Sequence, residues 1–325
     1  LGVLQFIKSH FSGLELHAST QMAIHNVQGC IMAKKLGFTR VVLSRETPLE
    51  EIRKIKESVD IELEYFIQGA LCVAFSGNCY LSAALKGESG NKGRCLQLCR
   101  LPYVAKLGDK EIKKGFLLSA KDFNMSKRIK ELADAGIVSF KIEGRARRIG
   151  YNAIVTNAYR KIFDSIILED EKPIDLDGIN NDIKVAFNRG NYTEGYFNGN
   201  GNIIYDKIQG HIGNKIGKIS RFEAGNKFNV VHICTKEDIV KGDSYKIIRD
   251  EKEICTIAPV DIKNKNGDYV ITTTAKMQVG DEVYKIVDFN LENDLTNKML
   301  KKPVNMCLVA RPDENMKLIA QCDDI

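Results

Sequence analysis

Cys72, Cys79, Cys95 and Cys99 fall within 28 residues in the arrangement C-x6-C-x15-C-x3-C, while Cys30, Cys234, Cys255, Cys307 and Cys322 are scattered singly. Gathered thiolates can bridge as disulfides, bind zinc or hold an iron–sulfur cluster. A disulfide framework suits small secreted chains, and an odd total of 9 cysteines in 325 residues fits it poorly. Structural zinc usually takes two close pairs, and only one gap here is short. The spacing by itself leaves zinc, an iron–sulfur cluster and simple burial of small apolar side chains open.

The elements that must position these thiols can be read around them. Short apolar runs at 14–17, 40–43, 61–67, 116–118 and 138–142 predict strands, and residues 21–36, 48–58, 125–135 and 149–168 carry apolar side chains at helical spacing. Thr47 before Pro48 predicts the cap of the second helix. Strand and helix in alternation predict an α/β fold with a parallel sheet covered on both faces. A charged, Pro-containing stretch at 169–177 reads as a linker, followed by a short helix near 179–187. Beyond 205, short strands separated by Gly, Asn and Asp predict a small all-β barrel to about 295, with Gly242-Asp243 and Gly280-Asp281 each introducing a strand. The opening residues read as the middle of a helix, and those from 296 to 325 as the start of a further module, so the sequence looks like a fragment.

Composition restricts the partners. Hydrophobic content of 44% is ordinary for a globular protein, no apolar run approaches the ~18 residues of a membrane span, and a net charge of +6 permits an anionic partner without requiring one.

In a parallel β/α sheet, sites form at the C-terminal strand ends. His17, Ser19 and Gln21, then Arg45 and Glu46, Gln68, Lys121 and Asp122, and Lys141, Glu143 and Arg145 all fall at such ends. Lys141 and Glu143 share one strand face, and Arg145, Arg147 and Arg148 at a helix start suit an anion. No H-E-x-x-H or G-x-S-x-G is present, and of the 5 histidines only His17 is placed to reach a thiol.

Glu64, Phe66, Gly69, Ala70, Leu71, Cys72, Gly77, Cys79, Leu81 and Ser82 sit at the spacing of the signature of the U32 peptidase family. Residues 17–21, 91–100 and 139–145, with Tyr151, Tyr159 and Arg160, resemble the same family, as more weakly do 187–190 and 194–196. The resemblance implies a first domain like a TIM barrel, of which residues 1–170 would be the second half; a doubly wound sheet is the alternative. Several relatives with this cysteine arrangement are iron–sulfur proteins of oxygen-independent RNA hydroxylation, with prephenate implicated as a co-substrate. The resemblance is greatest to the branch acting on 23S ribosomal RNA cytidine. It implies a cytoplasmic enzyme with a [4Fe–4S] cluster on Cys72, Cys79, Cys95 and Cys99, and RNA as substrate. His17, Glu64, Lys141 and Glu143 would be the catalytic residues, and Arg45, Arg145 and Arg148 would bind substrate. A collagenase-like peptidase and a non-catalytic RNA-binding scaffold remain alternatives.

Overall fold

The longest apolar run makes the central strand, and the other parallel strands assemble around it. Strands β1 (His17–Ala18), β2 (Arg40–Val42), β3 (Glu62–Ala70), β4 (Tyr103–Leu107), β5 (Lys110–Gly115), β6 (Asp122–Asn124), β7 (Ile137–Ile142) and β8 (Tyr192–Thr193) occupy the first part of the chain. The computed structural model describes residues 1–11, 13–167, 174–199, 201–265, 268–297, 304–311 and 315–321. Cys322 and most of the expected 169–177 linker lie outside them.

β1, β2, β3 and β7 are parallel neighbours in chain order. Because β7 fills one edge of β3, the other edge is divided: β2 pairs with residues 62–64, and β6 pairs antiparallel with residues 68–70. β8 extends β6 in parallel. Helices α1 (Gly2–His10), α2 (Val27–Lys35), α3 (Leu49–Ser58), α4 (Leu81–Lys86), α5 (Ile129–Asp134), α6 (Ile149–Ile167) and α7 (Leu176–Ala186) complete this part. α6 buries Tyr151, Ile154, Val155, Ala158, Tyr159 and Ile162, a stripe of i, i+3, i+4 spacing that joins Leu63, Tyr65 and Ile67 of β3 in one core. The Tyr159 hydroxyl donates to the Ile67 carbonyl at 2.7 Å, so its buried O–H is satisfied.

Several local expectations differ. Residues 116–118 form a turn, and the strand is β6, whose Asp122, Phe123 and Asn124 are all buried. β4 and β5 form an exposed antiparallel hairpin that the sequence reading missed. α2 starts at Val27 because the Asn26 side chain accepts from the Gly29 N–H at 2.9 Å. Thr47 does not cap α3; Pro48 stands at that position and the buried Thr47 hydroxyl has no partner.

Strands β9 (Asn214–Glu223), β10 (Asn229–Thr235), β11 (Ser244–Arg249), β12 (Lys252–Ile257), β13 (Ile262–Lys265), β14 (Asp268–Thr273) and β15 (Glu282–Val287) form one antiparallel sheet in the order β12-β11-β15-β9-β10-β14-β13. Each Gly-Asp pair does precede a strand, and both aspartates are buried anchors. Asp243 accepts from the Tyr245 hydroxyl at 2.7 Å, and Asp281 takes the Arg249 guanidinium at 2.6 and 2.8 Å. Neither large sheet closes on itself among the described residues, so the architecture is mixed α/β with two open sheets rather than the closed small barrel expected. Helix α8 (Phe289–Asn297) and a hairpin of β16 (Asn305–Val309) and β17 (Lys317–Gln321) follow. Among the described residues, no helix is long and apolar enough to cross a membrane.

His211 fastens the two sheets' segments together. Its Nδ1 accepts from the Asn188 N–H at 3.1 Å, while Nε2 donates toward the carbonyls of Val185 and Ile286 at 3.1 and 3.2 Å. Burial pushes its pKa down to about 4. The unfolded chain therefore takes up a proton below pH ~6.5 that the folded chain refuses until about pH 4. Stability from this group is fully present above pH ~6.5 and is lost on acidification, by about 2 kcal/mol between pH 7 and 5. Denaturant melts at the two pH values should show this loss, and His211→Gln should flatten it; an equal drop in the variant would refute the assignment.

Candidate functional site

The cysteine segment begins two residues beyond β3 and folds over the ends of β1 and β2. Gly77 has φ +78°, and a Cβ there would stand 2.6 Å from the Gln21 carbonyl oxygen, so glycine permits the close approach. Ser76 donates from its N–H and hydroxyl to Glu46 Oε1 at 3.0 and 3.1 Å, and Asn91 Nδ2 donates to the Gly77 carbonyl at 2.8 Å. Gly69 has φ +123° and lies so near the Glu143 backbone that a Cβ would meet its carbonyl oxygen at 2.6 Å. This contact brings the end of β7 against the end of β3.

These tethers bring Cys72, Cys79, Cys95 and Cys99 to the wall of one cavity of about 240 Å3, shared with Thr20, Gln21 and Arg45. Cys95 is exposed and the other three are half-buried, and all eight described cysteines are free thiols. Burial pushes the Cys72 and Cys99 thiols up, and neighbouring cysteines push them further because adjacent thiolates repel. Arg45 opposes this at Cys72 and Arg100 at Cys99. Among the described residues, no three His, Cys, Asp or Glu side chains close around a single metal-ion position. The Gln97 N–H reaches Cys95 Sγ at 3.4 Å, and the buried Thr20 hydroxyl in the cavity wall has no partner.

Arg45 is stacked on the Phe66 ring, its Cζ 3.8 Å from the centroid. Burial lowers its pKa, opposed by Glu143, Cys72 and Glu46. Phe66 lies between Glu64 and Gln68 on one face of β3, beside Ser139 and Lys141 of β7. Glu64 accepts from Lys141 Nζ and the Ser139 hydroxyl, both at 2.9 Å, and lies 3.7 Å from Arg40. Burial alone would raise its carboxyl, but those hydrogen bonds and the Lys141 and Arg40 charges hold it below the ordinary range. Glu143 accepts from the backbone N–H groups of Ala70 and Arg145 at 3.3 and 3.0 Å, and Arg145 donates to the Gly93 carbonyl at 2.6 Å.

Most of the expected site is thus assembled: the four thiols and Arg45 at the cavity, Glu143 and Arg145 fastened to its edges, and the Glu64–Lys141 pair on the adjoining sheet face. Two residues stand apart. His17 Nε2 lies 3.9 Å from Glu15, and the end of β1 contributes Thr20 and Gln21 to the cavity in its place. Arg148 pairs with Glu292 of α8 at 2.9 Å.

The sequence reading gave no separate role to Arg100 and did not join Asp122, Arg147 and Arg189 into one cluster. Arg100 is buried and donates to the Leu71 carbonyl at 2.8 Å, to the Ser119 hydroxyl at 3.1 Å and to the Ala120 carbonyl, so it ties the last cysteine to the strand leading into the first. Asp122 Oδ1 takes Arg189 at 3.1 Å and Arg147 at 3.6 Å. Burial pushes the Asp122 carboxyl up while Arg189, Arg147 and Arg100 pull it down. Burial outweighs the three arginines, so the carboxyl stands above its ordinary range. Position next to Cys99 was the available signal for Arg100; no local spacing links residues 122, 147 and 189.

The model of Peptidase family U32 matches residues 1–206. The chain is 46% identical over 158 residues to the 23S rRNA 5-hydroxycytidine C2501 synthase of Escherichia coli, covering 48% of this chain and 24% of that protein. It is 40% identical over 168 residues to tRNA hydroxylation protein P1 of Bacillus subtilis, covering 49% and 39%. A match of 37% identity over 268 residues to an uncharacterized protease of Methanocaldococcus jannaschii covers 76% and 63%. The chain therefore spans less than two thirds of each of these relatives. No solved structure matches. With its family model covering the strands, the cysteine segment and the residues that brace it, this chain belongs to Peptidase family U32.

Proposed function

We propose that this chain hydroxylates an RNA base in an iron–sulfur-dependent, oxygen-independent reaction, with a [4Fe–4S] cluster on Cys72, Cys79, Cys95 and Cys99. The observation that carries the reading is the convergence of all four thiols on one cavity with Arg45 in its wall. Four cysteine thiols on one cavity wall are the donor set that a [4Fe–4S] cluster takes. The unpartnered Thr20 hydroxyl and the Gln97 N–H are donors available to sulfur, and Arg45 and Arg100 supply positive charge beside thiolates that repel one another. When bound, such a cluster supplies electron-transfer and Lewis-acid chemistry at iron.

The chain's own residues bind and orient. Arg45, clamped on Phe66, presents a buried cation to an anionic substrate group, for which prephenate is a co-substrate of the right charge. Lys141 holds a proton at Nζ against Glu64, next to the same ring. Glu143 and Arg145 fix the cysteine segment against β7. RNA as substrate, and with it a cytoplasmic location, is supported by the relatives named for rRNA and tRNA hydroxylation. The chain-order succession of parallel strands, without the reversal of a doubly wound sheet, supports reading this sheet as half of a TIM-like barrel.

A peptidase is the second reading, favoured by the relative named as a protease. Its chemistry needs a nucleophile on a base. His17 contacts Glu15 rather than a thiol. The Ser220 hydroxyl and His232 Nδ1 both bond Asp268, at 3.0 and 2.7 Å, so the serine is not on the imidazole. Mass analysis of nucleosides from a deletion strain tests the choice. A hydroxylated nucleoside should disappear and return with the wild-type gene but not with Cys72→Ala. An unchanged nucleoside profile, with gelatin cleaved by iron-free protein, would replace hydroxylase by peptidase.

A further inference from the structure

A second cavity, of about 310 Å3, lies where α6, α7 and β15 meet and shares no lining residue with the cysteine cavity. Arg147, Arg148, Tyr151, Phe187, His211 and Val287 line it. Its polar groups are mostly engaged elsewhere. The Tyr151 hydroxyl donates to the Glu143 carbonyl at 3.2 Å, both His211 nitrogens bond backbone, and Arg148 is held by Glu292.

Arg147 is the exception. Its side chain is only 12% exposed, and its guanidinium lies 3.5 Å over the Phe187 ring, yet the buried Nε has no hydrogen-bond partner. Its nearest carboxylate, Asp122, is 3.6 Å away and is shared with the closer Arg189, which is equally buried, while Glu143 attracts it from farther off. Arg147 is therefore weakly paired for a buried guanidinium, in the wall of a cavity whose other polar groups are engaged. A weakly compensated buried charge is costly, and an anion against the Arg147 guanidinium would neutralise it. An apolar chamber with one convergent charged group is also the usual form of a small-molecule site.

We propose that this cavity binds a small oxyanion, carboxylate or phosphate, carried on a flat apolar body, with Arg147 as its anchor and Ile286 and Val287 against the body. The site is independent of any metal at the cysteines. Calorimetric titration of the purified chain with benzoate, phenyl phosphate and inorganic phosphate tests it. Benzoate or phenyl phosphate binds saturably, the tighter of the two identifies the oxyanion, and inorganic phosphate, lacking the body, binds more weakly. Affinity falls roughly tenfold or more in Arg147→Gln, as expected when a charge-assisted contact is lost. Ala186→Leu, which fills the cavity from α7 and keeps Arg147, does the same. A wild-type chain that takes up none of the three, or unchanged affinity in a folded Arg147→Gln, overturns the proposal. Should Arg147→Gln fail to fold, unchanged affinity in Ala186→Leu overturns it.

Discussion

Alanine at any one of Cys72, Cys79, Cys95 or Cys99 is expected to reduce anaerobically purified protein from about four irons per chain to near none, and to abolish RNA hydroxylation. The four thiols line a common cavity, and two of them resist ionisation through burial and mutual repulsion, so each depends on the others to hold a cationic group. Removing one leaves three thiols on the cavity wall. Alanine at Cys234 or Cys255, both in the antiparallel sheet, should leave iron and activity unchanged. Metal analysis and the visible spectrum report the result. Stoichiometric zinc without iron, or iron retained in Cys72→Ala, would remove the basis for the cluster.

The second large effect concerns stability. Asp122→Ala should destabilise the parallel-sheet part by about 3–5 kcal/mol, because it strands the buried Arg147 and Arg189 without a carboxylate. The double variant Asp122→Leu, Arg189→Met should recover only the part due to Arg189, since apolar side chains of similar volume can replace that ion pair while Arg147 stays without Asp122. Denaturant unfolding of the two variants and the wild type makes the comparison. An Asp122→Ala chain within about 1 kcal/mol of wild type would mean that water or solvent ions already neutralise the arginines.

What the sequence disclosed followed from how local the cause was. β2, β3 and β7 and helices α3 and α6 were legible because apolar periodicity within one segment decides them. The cysteine cavity was legible for the same reason, since its four thiols lie in one short stretch. β6 was not, because Asp122-Phe-Asn124 is a strand of three residues whose polar members are buried by partners far along the chain. The β4–β5 hairpin was hidden by its lysines, which leave no apolar alternation to detect. His17 is not among the residues lining the cavity, because β1 ends after two residues and the following turn carries Thr20 and Gln21 into the wall. The Asp122–Arg147–Arg189 cluster unites three distant segments, and only the folded chain shows it.

The divided edge of β3 separates two timescales of opening. Paired with β7 on one side and with β2 and β6 at the two ends of the other, β3 is expected to exchange its amide hydrogens far more slowly than the segment that follows it. The cysteine segment has no strand ladder of its own and is fastened by scattered side-chain contacts, such as Ser76 to Glu46, Asn91 to Gly77 and Arg100 to Leu71, Ser119 and Ala120. Such a flap can swing out and return while the strand beneath it stays closed. Insertion or loss of whatever the thiols carry then becomes a local event, reversible without refolding the chain.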